Sequence, residues 1–448
     1  METIPQELFL SILEYIEVNP KRFMKYVTVS RRWQRAIERF YFNRIRVNES
    51  ELSSFAELFR ETESHRKSLV KQLFLKIHLP AYDGDNYHQH KEVNNQIFST
   101  TILKLFQVLE TFDGDEDVKR NRRKGDGLQL TITYIKSPCD DFDGDDAIKL
   151  RGTYIQLLNH QKLPTLSCVS TFFSGCHDYT RMLDPASGIL IAGKLKNLKR
   201  CTTDYYDRRE CINNETRKII RPAFANALSL YTQSLGAFDL RMEFSCPLDD
   251  ASSPPNYALP SSRVDPMNLA LDAPVPFWPN MRDIYVWVAP TTPDGDWYFM
   301  GDPNIASHPE FIGATRADDQ TLRGTEDTCN FFRIIPIPER MNPLLIAMAR
   351  AVRYAPSIEA VGVRFVEAEL SPKYVKTKGS KRQFGIFYCA PGTEPPFGSG
   401  LSVIRRPSLI CDVQDWRLDE DIEKYWMEAL GPDGSIVYVN CVPYCPPP

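Results

Sequence analysis

The chain has 448 residues, of which 42% are hydrophobic, 25% charged and 11% aromatic, with a formal net charge of −4. That length exceeds one ordinary hydrophobic core, and the composition excludes wholesale disorder. A charge so near balance excludes any global attraction to phosphate backbones, acidic substrates or membrane surfaces, so neither nucleic acid nor a membrane is expected as a partner. No stretch approaches the roughly 18 apolar residues that span a bilayer. With no basic leader and apolar run at Met1, the protein is expected in the cytoplasm, the nucleus or both. The eleven cysteines run from Cys139 to Cys445 without paired C-x-x-C spacing, and read as reduced thiols, many of them in the core.

In chain order, the first element is a helix beginning near Ile4, where Thr3 can cap and Pro5 occupies a first-turn position that needs no amide donor. Leu8 or Phe9, Ile12, Leu13 and Ile16 recur at spacings of three and four, which places them on one face. Asn19-Pro20 ends that helix, and a short second one carries Phe23 and Met24. A third follows from Val27 to Phe40, with Val29, Trp33, Ile37 and Phe40 expected along one face. Three helices totalling about forty residues are at the limit of independent folding, so part of their apolar surface is expected to meet a partner or the next domain.

The run Ile4-Pro5-x-Glu7-Leu8, then Ile12-Leu13 and Ile16, then Val29-Ser30-x-Arg32-Trp33, resembles the F-box, a helical docking module. In that family Leu-Pro-x-Glu, an Ile or Leu pair and Val-Ser/Cys-x-x-Trp recur in this order; here Ile4 replaces the commoner leucine. The resemblance implies that Ile4, Pro5, Leu8, Ile12, Leu13 and Val29 enter a hydrophobic groove of a Skp-family adaptor, itself seated on a cullin. Ile16, Trp33 and Ile37 would hold the module together. The same pattern also arises in an amphipathic cap that merely begins a larger domain.

Beyond residue 45, helix and strand alternate. Arg44–Asn48 reads as a strand, Glu51–Arg66 as a helix, Leu69–Leu79 as a strand alternating at period two, Asn94–Phe112 as an amphipathic helix and Gly127–Tyr134 as a strand. Leu163-Pro-Thr-Leu166-Ser-Cys-Val169, Leu195–Cys201, Trp278–Ile284 and Ala355–Val361 share a local form and are expected as strands, each after a helix; Leu235–Met242, after a helix over 217–233, is a weaker member. Shared form at irregular spacing suggests a degenerate leucine-rich-repeat-like solenoid of helix-strand units with long insertions, in an α/β (mixed) fold. An ordinary α/β domain gives the same junctions. The F-box proteins of filamentous fungi are similar along much of the chain, through segments such as Leu75–Tyr82, Asn94–Phe98 and Trp278–Met281. The expected division is a module over 1–45, a repeat-like domain over 46–370 and a C-terminal α/β extension over 371–448. That extension should hold a strand over 383–388 and a helix with Trp416, Ile422, Tyr425, Trp426 and Leu430.

Residues 113–127, 246–276 and 290–338 read as loops. Asp141-x-Asp143-Gly-Asp145 and Asp113-x-Asp115-x-Asp117 begin like calcium loops but lack the turn glycine and the closing glutamate. Lys119–Lys124 is basic beside an acidic run, His88-x-His90 lacks further donors at a metal-site spacing, and no nucleophile elbow, phosphate loop or His-Glu-x-x-His is found. Neither a cofactor, a metal nor a catalytic residue can be nominated. The sequence therefore points to a non-catalytic substrate receptor of an SCF-type ubiquitin ligase that binds an unknown protein target, or to a non-ligase interaction scaffold with a helical N-terminal cap.

Overall fold

The computed structural model describes residues 28–82, 90–123, 127–140, 154–174, 181–207, 235–244, 279–288, 296–301, 333–365, 384–394, 403–413 and 416–439, with residue 292 and short helical pieces between 219 and 228. It is a mixed α/β structure built on one large, mostly parallel sheet. Helix α1 (Arg31–Asn43) passes into strand β1 (Arg44–Asn48) with no residue between, and is followed by α2 (Leu52–Glu57) and a 3-10 segment (Glu61–Leu69). Next come β2 (Gln72–His78), α3 (Lys91–Asp113), α4 (Glu116–Arg123), β3 (Leu128–Lys136), β4 (Val169–Ser174), α5 (Pro185–Ala192), β5 (Arg200–Asp207), β6 (Ala237–Phe244) and β7 (Asp283–Val288). The last elements are β8 (Phe299–Gly301), β9 (Arg333–Pro336), α6 (Pro338–Tyr354), β10 (Ala360–Phe365), β11 (Gly385–Cys389), β12 (Ser408–Asp412), α7 (Glu420–Leu430) and β13 (Ser435–Val439).

Eleven of these strands lie side by side in chain order, β1 to β7 and then β10 to β13, while β8 and β9 form a separate pair. Neighbours are parallel except that β11 runs against both β10 and β12. The sheet is continuous across residue 370, where the repeat-like region was expected to give way to an extension. One lateral row shows why the sequence settles on this register. Ile45, Leu73, Leu130, Phe172, Cys201, Phe238, Ile284, Val361, Tyr388, Leu409 and Ile436 are successive partners across all eleven strands. A one-residue slip anywhere would turn that strand's apolar set out of the core, at a cost of about 1.5–3 kcal/mol for each large side chain exposed.

The buried side chains of α2, α3, α5, α6 and α7 join the same apolar cluster as this row. On α3 these are Phe98, Ile102, Leu105, Phe106 and Leu109, spaced as one helical stripe. Polar groups stitch the layer where backbone would otherwise be stranded. Asn95 and Ser99 of α3 accept from the amides of Gln156 and Leu158 at 2.8 and 2.7 Å, and Ser187 of α5 accepts from Leu157 at 2.9 Å. Helix α5 starts because Asp184 accepts from Ser187 N and Pro185 fills the first turn, where no donor is needed. It lies close on the sheet at Gly188, where a Cβ would stand 2.8 Å from the Ser174 hydroxyl.

Several expected elements shift. The shared Leu-Pro-x-Leu form is the turn that feeds each strand: Leu198 N bonds Leu195 O at 3.1 Å and Ile358 N bonds Ala355 O at 3.1 Å, and the strands proper begin at Val169, Arg200, Asp283 and Ala360. Its apolar positions are anchors, with Leu166, Leu198, Met281 and Ile358 all buried. The helix expected over 51–66 is broken in two, because Phe55 and Phe59 turn into the core while His65 and Arg66 turn back to α1. Residues 116–123 are helical rather than loop: the Asp115 carboxylate accepts from the amides of Asp117 and Val118, and ion pairs Lys119–Glu116 and Arg120–Asp117 run along the surface. Within 290–338, β8 and β9 are paired strands. Trp416 precedes α7 and packs on Phe384 instead. The segment 246–276 lies outside the described residues.

Candidate functional site: the sheet face opposite the described helices

Parallel strands between two helical layers are apolar on both sides, whereas strands that alternate leave one face open. Alternation is clear in β2 and β7, and the described helices bury their side chains on one face only. Across the other face runs a second row of partners: Arg46, Phe74, Thr131, Phe173, Thr202, Asp239 and Tyr285, one from each of β1 to β7. The row ends where Gly362 lets the rings of Phe387 and Tyr285 close over the backbone; a Cβ there would meet them at 2.6 and 2.9 Å. Beyond it Phe387, Cys389, Ile404 and Ile410 form a small apolar cluster that covers this end.

Charge is sorted along the row. At the β1 end Arg44, Arg46 and Lys76 are exposed, and among the described residues none pairs with a carboxylate. The Arg44 guanidinium stands 4.5 Å from the centre of the Phe74 ring and the Lys76 ammonium 5.6 Å from that of Tyr134. Such stacking holds a cation in place without neutralising it. His78 bonds Glu49 at 3.2 Å beside them. At the β6–β7 end two half-buried carboxyls, Asp239 and Asp283, flank Arg200 in the neighbouring row. Burial pushes both above the ordinary carboxylate range, against the pull of Arg200 on each and of a Thr202 hydrogen bond on Asp239. Burial and the nearby Asp283 raise Tyr285 to about 12. The β1 end is basic and aromatic, whereas the far end mixes the two carboxyls with the exposed Arg200 and with Arg364, whose guanidinium stands 5.3 Å from the centre of the Trp287 ring.

The N-terminal helix is fixed to this body. Ser30 caps α1 by accepting from Trp33 N at 3.3 Å. Ile37 is buried and Trp33 half-buried, as the periodicity requires. Val29 is 60% exposed and Phe40 40% exposed. Val29 precedes the helix and so is not on its face, and Ala36 with Ile37 supplies the buried contact instead. Glu38 is buried in mid-helix. Burial alone would push its carboxyl up, but hydrogen bonds from Arg66, Gln34 and His65 outweigh that and bring it below the ordinary value. Ile4, Pro5, Leu8, Ile12, Leu13 and Ile16 lie outside the described residues.

Among the described residues no three His, Cys, Asp or Glu side chains are grouped to hold a metal ion. Asp113 and Asp115 are occupied otherwise, accepting from Ser167 N at 2.6 Å and capping α4; Asp141 to Asp145 and His88 lie outside the described residues. A buried constellation that the sequence did not signal joins Arg181 to Asp140, whose Nε and Nη2 reach the carboxylate at 2.8–3.2 Å, with Tyr82 donating to it at 2.8 Å. Its charges neutralise one another inside the fold. No helix among the described residues is long and apolar enough to cross a membrane. No family model matches this chain, and a search of curated proteins finds no match.

Proposed function

We propose that the chain is an F-box substrate receptor of an SCF-type ubiquitin ligase, working in the cytoplasm, the nucleus or both. Its N-terminal helices dock a Skp-family adaptor and through it a cullin, and its sheet presents a protein target. The observation that carries this reading is the order Ile4-Pro5-x-Glu7-Leu8, Ile12-Leu13, Val29-Ser30-x-x-Trp33 at the N-terminal end of the described body, with α1 rigidly joined to that body. We read the body as a leucine-rich-repeat-like solenoid; the support is the run of parallel strands whose lateral order follows the chain, with helices on one side. In such a receptor the chain does no chemistry. It raises the effective concentration of the target's lysines near the ubiquitin-charged enzyme.

The test is co-purification of the full chain with a Skp-family adaptor. Capture by the wild type, lost on Leu8→Asp with Ile12→Asp, is the expected result; no capture by the wild type would sink the reading.

The hold of Arg66 and His65 on Glu38 favours a second reading, a non-ligase scaffold in which the helices are part of the body's own fold. It predicts that deleting residues 1–45 unfolds the remainder, whereas a docking module leaves a cooperatively melting body behind.

A further inference from the structure

Among the described residues, the face opposite the helices carries three exposed cations without acidic partners, two of them stacked on rings, at one end of a row whose far end carries carboxyls. From the row Arg46–Phe74–Thr131–Phe173–Thr202–Asp239–Tyr285 with its flanking Arg44 and Lys76, we propose that this face binds an extended acidic segment of a protein partner. Its carboxylates lie on Arg44, Arg46 and Lys76, and its apolar side chains on Phe74 and Phe173.

Charge complementarity identifies the occupant. A guanidinium and an ammonium held over aromatic faces attract carboxylates and pay less ordering entropy on binding than free side chains do. The rings beside them offer apolar contact to the next residues of the same segment. The carboxyls of Asp239 and Asp283 then set where the acidic run must stop, because like charges brought together there would repel. Six strand steps separate β1 from β7, about 29 Å at the usual spacing of about 4.8 Å, which an extended chain covers in roughly nine residues. The acidic part belongs over the first two strands, beside Arg44, Arg46 and Lys76, and the apolar part runs from Phe74 to Phe173 over the second to fourth. Single-stranded nucleic acid would use the same cations and rings, but its phosphates continue without interruption into the carboxyls of β6 and β7.

This inference rests on the receptor reading only in taking the face as the one that meets the target. It is tested separately. Fluorescence anisotropy with the full chain would compare a labelled peptide having an acidic half and a leucine-phenylalanine half, the same peptide with lysine in place of each acid, and a single-stranded oligonucleotide of matching charge. The acidic peptide should bind best, weaken as salt is raised, and lose at least about tenfold in affinity on Arg46→Glu with Lys76→Glu. That variant should also gain affinity for the lysine peptide. Both positions are exposed, and unchanged thermal melting would establish that the variant is folded. Equal binding of the two peptides, tighter binding of the oligonucleotide, no binding of the acidic peptide, or indifference to the double substitution would each overturn the inference. Adaptor capture reports on residues 4–33 and should be untouched by these substitutions, so failure of the receptor reading and failure of this one are told apart.

Discussion

Arg66 reaches back 28 residues to donate two hydrogen bonds to one carboxylate oxygen of Glu38, from Nε at 3.0 Å and Nη2 at 2.6 Å. His65 Nε2 lies 3.1 Å from the other oxygen. The pair joins the middle of α1 to the 3-10 segment before β2, with side chains only 7% and 18% exposed. Removing one partner would leave the other charge buried, so Arg66→Ala should destabilise the attachment of α1 by about 3 kcal/mol. Hydrogen exchange should show the loss of protection concentrated in residues 31–43, and uniform loss over the sheet would contradict it.

The same carboxyl sets a pH dependence. The folded value of Glu38 lies below the ordinary 4.5, so its contribution is present above 4.5 and is lost as pH falls through the folded value. Acid titration of the wild type should loosen α1 in that window, and Glu38→Gln should melt lower and lose that part of the pH dependence. A wild type and variant with parallel acid profiles would remove this account.

Asp283 works in the opposite sense. Burial raises its carboxyl above the ordinary 3.8, with help from the neighbouring Glu359 and Asp239. A raised acid favours the folded state below its unfolded value and costs stability as pH climbs through the folded value. Asp283→Asn is therefore expected to raise Tm by about 1–2 °C at neutral pH. The gain should disappear below pH 3.8, and thermal melts at the two ends of that range decide it.

Close approach at Gly188 gives a sharper test of the helix layer. A Cβ there would stand 2.8 Å from Ser174 Oγ and 3.3 Å from Thr203 Oγ1, side chains that are themselves hydrogen-bonded at 3.2 Å across β4 and β5. Gly188→Ala should cost about 1–3 kcal/mol by overpacking, despite alanine's better helix propensity. Adding Ser174→Ala should recover part of that loss, a coupling that a double-mutant cycle of melting curves would measure.

The buried Arg181–Asp140 pair, with side chains 2% and 0% exposed, closes the loop after β3. Arg181→Met should cost about 3–5 kcal/mol, because Asp140 would be left charged and buried. Tyr82→Phe removes only one of the hydrogen bonds to that carboxylate and should cost about 1–2 kcal/mol. Similar losses from both variants would show that the ion pair does not dominate.

What the sequence disclosed follows from which interactions are local. The stripe on α3 and the alternation in β1, β2 and β3 are written within single elements, and each of those elements forms near its expected place. Which residues stand beside one another across strands was not legible, because register is settled by distant partners, 28 residues away between Arg46 and Phe74 and 77 between Tyr285 and Gly362. Leu195–Leu198 and Ala355–Ile358 were taken for strand because a buried turn and a strand start share the same apolar spacing. Residues 116–123 were taken for loop because the cap from Asp115 and the ion pairs of α4 look like solvated charge in one dimension. Arg66 and Glu38 carry no local sign of meeting.

The absence of any residue between α1 and β1 has a geometric consequence. With a flexible linker there, distance from α1 to the open face would be an average over many conformations. With none, it is counted in strands. Each helix-strand unit inserted or removed between β1 and β7 would shift the far end of the face by one strand spacing, about 4.8 Å, and rotate it by the sheet's twist of roughly 20–25°. Lengthening a surface loop would shift neither. The sheet thus serves as a ruler with discrete marks, and a variant of this chain with a different strand number would hold the far end of that face at a different height and angle.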